Sequence, residues 1–462
     1  MGMPNDQRPT RAPGQAHPSG GQLIPLQDLR SLKQLLGERG VTRVLIKRLS
    51  RNDNSKNQVY LAGSFSVLNL IPLGEPRVEQ SDIGNQVIHA PVGLSWLTDT
   101  LTESPAPQAK LILYPQYPEV RLSGFLRGSP NPPSSLLNEF ARIPGRVLFL
   151  GIRPDRSVLA SIVGPEHPIA RELVATGVLA GEDLLVELEV GDESSRPRLL
   201  RELGEITIAG WITSTRLDAK GMLHPCRAPN CGGLTLEAQL GIASNSRSEP
   251  DYHGWEVKQF GARDFVRFSA RSPLTLFTPE PTIGVYADDG VARFIRRFGY
   301  ADTKGRENRL NVGGKFAVGR RAIRTGLTLT LVGYDAASER ITDVAGGLHL
   351  VSDDGEVAAG WPFTTLIEHW NRKHAQAAYV PSLKQDEPRA YRYGSRVFLG
   401  TGTNFGRFLA SLASGAVYYD PGIKLEGVDS LREIPHRRSQ FRVSFARLRD
   451  LYSTFESIDL RT

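Results

Sequence analysis

The segment Pro250-Asp251-Tyr252-His253-Gly254-Trp255-Glu256-Val257-Lys258 constrains this chain of 462 residues more than any other. Val257 stands between an acid and a lysine, with Trp255 and Phe260 close by. The run therefore reads as a short strand over 253–260 whose alternation sends Glu256 and Lys258 to one face. Asp251 follows a proline, where the backbone is biased toward extended or turn conformations, and can fold its carboxylate back toward that face. Two carboxylates, the Val257 carbonyl and waters make the oxygen-rich surroundings that Mg2+ prefers. A lysine beside such an ion can hold or deprotonate an attacking water and offset charge building on a phosphate. The same spacing also fits an ordinary solvated strand with a Glu/Lys alternation, because short motifs recur by chance.

The flanking sequence adds a resemblance. The stretches GWITSTRL (210–217), NCGGLTLEAQLGIASN (230–245) and PDYHGWEVKQF (250–260) are similar to the MvaI/BcnI family of restriction endonucleases, of the MutH-like branch of PD-(D/E)xK nucleases. The likeness continues through TLFTPEPTIGVY, IRRFGYADTKGRENRLNVGGK, HWNRKHAQAAYVP, YYDPGIKLE and HRRSQFRV, and so covers about residues 197 to 455. It implies that Asp251 and Glu256 hold metal, that Lys258 is the catalytic lysine, and that Glu237 is an acid on a preceding helix. Read without the resemblance, Glu237 is equally an exposed helical acid. The implied cofactor is Mg2+, with Mn2+ as its substitute, and the implied fold is an α/β PD-(D/E)xK nuclease with a mixed sheet, two-lobed and clasping DNA.

A chain of this length should divide into two or three domains. Residues 1–22, rich in Pro, Gly and Gln, read as a disordered tail. From 23 to 195 come strand-like runs such as VTRVLIKRL, QVYLAGSFSVLNLIPL and GRVLFLGIRP, which predict a separate strand-rich amino-terminal domain. The polar GDESSRP marks the join to a nuclease domain at 196–462. Within that domain the pattern predicts helices at 197–212, up to Ile242, at 291–298 and 363–378. Strands are expected at 253–260, 264–270 and 327–334, with a hairpin turning at Asp353-Asp354-Gly355.

The net charge is +7. Residues 201–462 carry 35 of the 56 basic side chains and 29 of the 49 acidic ones, so +6 of the excess lies in the nuclease-like part. That favours a polyanionic partner touched through its phosphates, and the resemblance implies that this partner is double-stranded DNA. Base reading needs bidentate donors, and the candidates are Arg306, Asn308 and Arg309 in GRENRL and Arg437, Arg438, Gln440 and Arg442 in HRRSQFRV. On a strand, Arg438, Gln440 and Arg442 would share a face, either toward a groove or on a solvated edge. Trp370 should fill core, with Lys373 outward as a further contact.

Other signatures are weaker. Cys226 and Cys231, the two cysteines, form with His224 a His-x-Cys-x4-Cys run lacking a fourth zinc ligand. Two reduced thiols are expected, ahead of zinc, with a disulfide expected least. No Walker-type phosphate loop occurs, and the Gly400–Gly406 turn lacks dinucleotide spacing, so no nucleotide cofactor is expected. His369 and His374, five apart, suit packing or DNA contact rather than a metal. No apolar run reaches transmembrane length and no secretion signal is present, so the expectation is a cytoplasmic protein off the membrane. The expected activity is Mg2+-dependent hydrolysis of DNA in restriction or anti-phage defence. Alternatives are an effector nuclease working with other defence proteins through the amino-terminal domain, a nicking enzyme of the mismatch-repair kind, and a catalytically silent DNA-binding protein.

Overall fold

In the computed structural model, the strand-like runs of the first half become two sheets made only of strands between residues 43 and 189. The structure describes residues 25–51, 57–63, 65–80, 84–114, 119–137, 143–179, 185–189, 195–243, 252–373, 376–430 and 432–461. The expected tail at 1–22 and most of the GDESSRP join lie outside these.

The six-stranded sheet runs Val186–Glu189, Arg43–Leu49, Arg146–Ile152, Val158–Val163, Leu94–Leu97, Glu103–Ala106. Its central strand Arg146–Ile152 is buried throughout because both faces are covered. Val147 and Phe149 pack with Leu32, Leu36 and Ile169 of the helices Leu29–Glu38 and Pro168–Ala175. Leu148 and Leu150 point the other way, into a larger cluster shared with a five-stranded antiparallel sheet. This is the period-2 alternation of a strand sandwiched between two layers. The same cluster continues into the carboxy-terminal half, where the 3-10 helix Phe65–Asn69 packs against the helices Phe363–Lys373 and Phe405–Ala413.

The second half is mixed α/β and sheet-rich. Its main sheet orders Trp211–Thr213, Ala390–Tyr393, Gln376–Gln385, Arg396–Thr401 and Thr454–Asp459. Strand Glu256–Gly261 pairs parallel with Gln376–Gln385, placing Glu256 opposite Ala377 and Lys258 opposite Tyr379. Helices Ser195–Ile208 and Cys231–Gln239 cover one face, burying Leu199, Leu203 and Leu236 against Val257, Ala378 and Val380.

Several expectations hold. The helix at Val291–Phe298, the strand Leu327–Val332 and the hairpin about residues 353–355 form where the pattern put them. Three do not. The first helix stops at Ile208; Gly210 takes φ +73°, and the bulky or branched Trp211-Ile212-Thr213 starts a strand. Residues 264–270 are a turn, since Asp264 Oδ1 accepts from the amides of Val266 and Arg267 at 2.9 and 2.7 Å and so replaces ladder hydrogen bonds. The helix expected to reach 378 ends at Lys373, and Gln376–Tyr379 enters the sheet centre, where burial overrides the helical preference of two alanines.

Candidate active site

A two-residue turn delivers the chain into the strand that carries the acid and the lysine. Tyr252 and Trp255 exchange backbone hydrogen bonds of 2.9 and 2.7 Å, while His253 and Gly254 between them take φ +44° and +86°. Paired positive φ values suit the right-handed twist of a tight hairpin, and glycine is the residue that takes the second at least strain. Asp251, one residue earlier, lies outside the described residues.

On strand Glu256–Gly261 the expected alternation is observed. Val257 packs with the covering helices, while Glu256 and Lys258 project to the opposite face. Glu256 is 2% exposed. Lys258 Nζ donates to Glu256 Oε1 at 2.8 Å, and Glu256 Oε2 is buried with no hydrogen-bond partner among the described residues. A buried carboxylate oxygen without a donor is costly unless something else satisfies it. Beneath lie Tyr379 and Tyr452, buried and joined through their hydroxyls at 2.6 Å. Burial pushes both phenols well up from their ordinary range, Tyr379's further through Tyr452 and both through the Glu256 charge, so both stay neutral under the carboxylate.

Glu237 reaches the same place from the helix Cys231–Gln239. Together with Glu256, Val257, Lys258, Thr275 and Arg442 it lines a cleft of about 590 Å3. The helix is pinned at three points. Thr235 Oγ1 donates to the Thr215 carbonyl at 3.0 Å and accepts from its amide at 3.1 Å. The Tyr393 hydroxyl donates to the Gly232 carbonyl at 2.8 Å. At Gly232 a Cβ would fall 2.7 Å from Gln259 Oε1 and 3.1 Å from Tyr391 Cε1, so a larger residue would have to displace the Gln259 side chain on the neighbouring strand.

The third pin is a correction. Cys226 and Cys231, expected as reduced thiols, are joined in a disulfide with Cα atoms 5.7 Å apart. The hairpin of 215–217 with 223–225 folds back on the helix start and brings the two within bridging range. His224 turns away to Asp218 Oδ2 at 2.7 Å, which removes the third member of the zinc alternative. Among the described residues no three His, Cys, Asp or Glu side chains converge as a metal site.

The DNA-contact candidates divide. Arg306 and Asn308 are exposed, Asn308 with φ +51°. Arg309 is tied inward, with Nε 3.0 Å from Asn311 Oδ1 and 3.5 Å from Asp302. Lys373 ends its helix, and its side chain and His374 are outside the described residues. Trp370 is buried against Phe408, as expected. The shared face of Arg438, Gln440 and Arg442 does not form, because the strand begins only at Phe441. Arg437 and Arg438 are exposed, Gln440 is buried and accepts from Thr275 at 3.4 Å, and Arg442 pairs with Asp420 at 2.8 Å. Arg442 thus belongs to the cleft itself, a placement the sequence did not signal because strand pairing of 441–443 with 274–277 creates it.

A family model described as the MvaI/BcnI restriction endonuclease family matches residues 200–452. The solved complex of restriction endonuclease MvaI with its cognate DNA is 18% identical, with a TM-score of 0.42 over 58% of this chain and 99% of that one. MvaI in the absence of DNA gives 17% identity and a TM-score of 0.33 over the same shares. The B3 domain of UbaLAI restriction endonuclease with cognate DNA gives 17% and 0.22, over 35% of this chain and 96% of that one. No curated protein matches the chain.

Proposed function

The chain belongs to the MvaI/BcnI restriction endonuclease family, whose model spans more than half of it, and from that premise we propose that it is a Mg2+-dependent endonuclease hydrolysing DNA phosphodiesters. The single observation that carries this reading is the buried Glu256, held by the half-buried Lys258, whose carboxylate keeps one oxygen unpartnered among the described residues at a cleft also lined by Glu237. That oxygen fits a hard divalent cation, which takes oxygen ligands and keeps several waters. Glu256, the Val257 carbonyl and Asp251 would hold the ion, with Mn2+ able to replace Mg2+. When bound, such an ion supplies polarisation of the phosphate and a more acidic water.

The chain's own groups do the rest. Lys258, held by Glu256 Oε1, orients the attacking water and offsets negative charge accumulating on the phosphate. Glu237, set by its pinned helix, receives or relays a proton at the far wall. Arg442, clamped by Asp420, holds a phosphate beside the reacting one. The neutral tyrosine pair below excludes water from the back of Glu256 and keeps further negative charge away from it. Exposed Arg306, Asn308, Arg437 and Arg438 are available to bases and backbone.

In this reading residues 23–195 and 196–462 are two domains that pack on each other through the shared apolar cluster. The second is a PD-(D/E)xK catalytic body of two lobes, and the first serves target choice or holds other defence proteins in the cytoplasm. Among the described residues no helix is long and apolar enough to cross a membrane. The test is conversion of supercoiled plasmid by the full chain. Open-circle or linear product that requires Mg2+ or Mn2+ and disappears on chelation is expected. Intact plasmid at every metal and salt concentration, with DNA retained, would leave a silent DNA-binding protein instead.

A further inference from the structure

Positive charge in this chain is concentrated outside the cleft. Residues 300–326 contain seven lysine or arginine side chains against only Asp302 and Glu307, a local +5 out of a chain total of +7. At the far end of this stretch the strands Arg321–Ala322 and Leu327–Val332 form a hairpin whose four-residue tip carries Ile323, 88% exposed. An isolated exposed apolar residue is ordinary. One mounted on a fixed tip between cations is not.

The tip is held by three contacts. The Gly326 amide donates to the Ala322 carbonyl at 2.9 Å, with Gly326 at φ +67°. Arg321 makes a two-pronged ion pair with Asp353, Nε to Oδ1 at 2.7 Å and Nη2 to Oδ2 at 2.5 Å. Arg324 lies over the Tyr300 ring, 5.3 Å from its centroid, which ties the tip to the start of the basic segment. Arg320 is exposed and has no ion pair among the described residues. A chain of contacts leads from the cleft to this hairpin. Arg442 of the cleft is the strand neighbour of Tyr418, Lys315 caps the Tyr418 ring at 4.3 Å, and Val318 bridges to Leu329 on the hairpin's second strand.

We infer that this hairpin is a DNA-deforming element: Ile323 enters a groove and wedges a base step, while Arg320 and Arg324 hold the flanking phosphates. Apolar wedges of this kind unstack a step and bend or unwind the duplex, and the energy is recovered through added contacts with the bent DNA. A rigid tip limits the ordering cost of insertion. The inference rests on the DNA endonuclease reading and extends it to how the duplex is presented to the cleft.

The test uses the full chain carrying Lys258→Ala, so that DNA is bound and not cut, with relaxed closed plasmid and a topoisomerase as the probe. Bound protein is expected to shift the topoisomer distribution. Adding Ile323→Ala should abolish the shift, and Ile323→Asp should abolish it and weaken binding further, because a carboxylate there meets the phosphate backbone. Arg320→Gln with Arg324→Gln should lower affinity and reduce the slope of log K against log salt by about 2, one phosphate contact for each arginine. An undiminished topoisomer shift with Ile323→Ala would overturn the wedge, and an unchanged salt slope would overturn the DNA-facing placement of the hairpin. Failure of the wild-type chain to retain plasmid, with Ca2+ in place of Mg2+, would overturn the DNA endonuclease reading and this inference together, and is recognisable because no variant would then bind.

Discussion

Lys258 Nζ sits 2.8 Å from one oxygen of Glu256, and the other oxygen of that carboxylate is buried with no donor among the described residues. One side chain of the pair is thus satisfied by the protein while the other is left half-satisfied, in the wall of a cleft. Removing either should separate chemistry from binding. Lys258→Ala and Glu256→Gln are each expected to lower the cleavage rate at least about 10^2-fold, the usual loss when one charge-stabilising group is deleted. DNA retention in a gel-shift titration should change little; equal loss of both would assign the pair to binding.

The unpartnered oxygen also predicts metal-linked stability. Mg2+ or Ca2+ should raise the melting temperature of the wild-type chain without DNA, by about 2.7 kcal/mol of stabilisation at a hundredfold excess over Kd. Glu256→Gln should remove that shift. Lys258→Ala leaves a buried carboxylate without its cation and should cost about 3 kcal/mol, the low end for broken buried pairs because Lys258 reaches solvent. Differential scanning fluorimetry with and without metal checks both.

How much of this was readable beforehand depends on whether the cause was local. The shared face of Glu256 and Lys258 follows from strand alternation alone, and the helix at 291–298 from its apolar spacing, so both were legible. Gln376-Ala377-Ala378-Tyr379 was misread because its strand state is imposed by neighbours on both sides in the sheet centre. The shared face of Arg438, Gln440 and Arg442 was misread for the same reason, since pairing with residues some 165 positions earlier buries Gln440 and turns Arg442 into the cleft. The tyrosine pair had no signal at all, its members lying 73 residues apart.

The disulfide gives a third test. Closing so short a loop is worth about 2 kcal/mol on the chain-entropy account. Because the bridge ties the start of the Glu237 helix to the preceding hairpin, Cys226→Ser with Cys231→Ser should lower stability by about that amount and reduce cleavage more than DNA retention. Reductant should act on wild type and leave the double variant unchanged.

His89 predicts an acid dependence in the amino-terminal sheet. Its Nδ1 lies 3.0 Å from Lys110 Nζ and 2.5 Å from Glu79 Oε2, contacts that favour opposite protonation states. Burial, with Lys110 second, outweighs Glu79 and holds the imidazole below its usual value. The folded state therefore binds the proton less readily than the unfolded one, and the stability it contributes above about pH 6.5 is lost as pH falls through and below that value. Urea titrations between pH 5 and pH 8 should show the decline, and His89→Asn should reduce it, leaving the share of His253 and His349, which burial also holds below their usual value.

The most direct measurement is digestion of methylated and unmethylated phage and plasmid DNA by the wild-type and Lys258→Ala chains side by side in Mg2+, with the product ends sequenced. Fragments with a common end sequence from wild type alone are the predicted result, and they would give the recognition site. Equal cleavage by Lys258→Ala would contradict the account, because the scission would then come from somewhere other than the Glu256–Lys258 cleft.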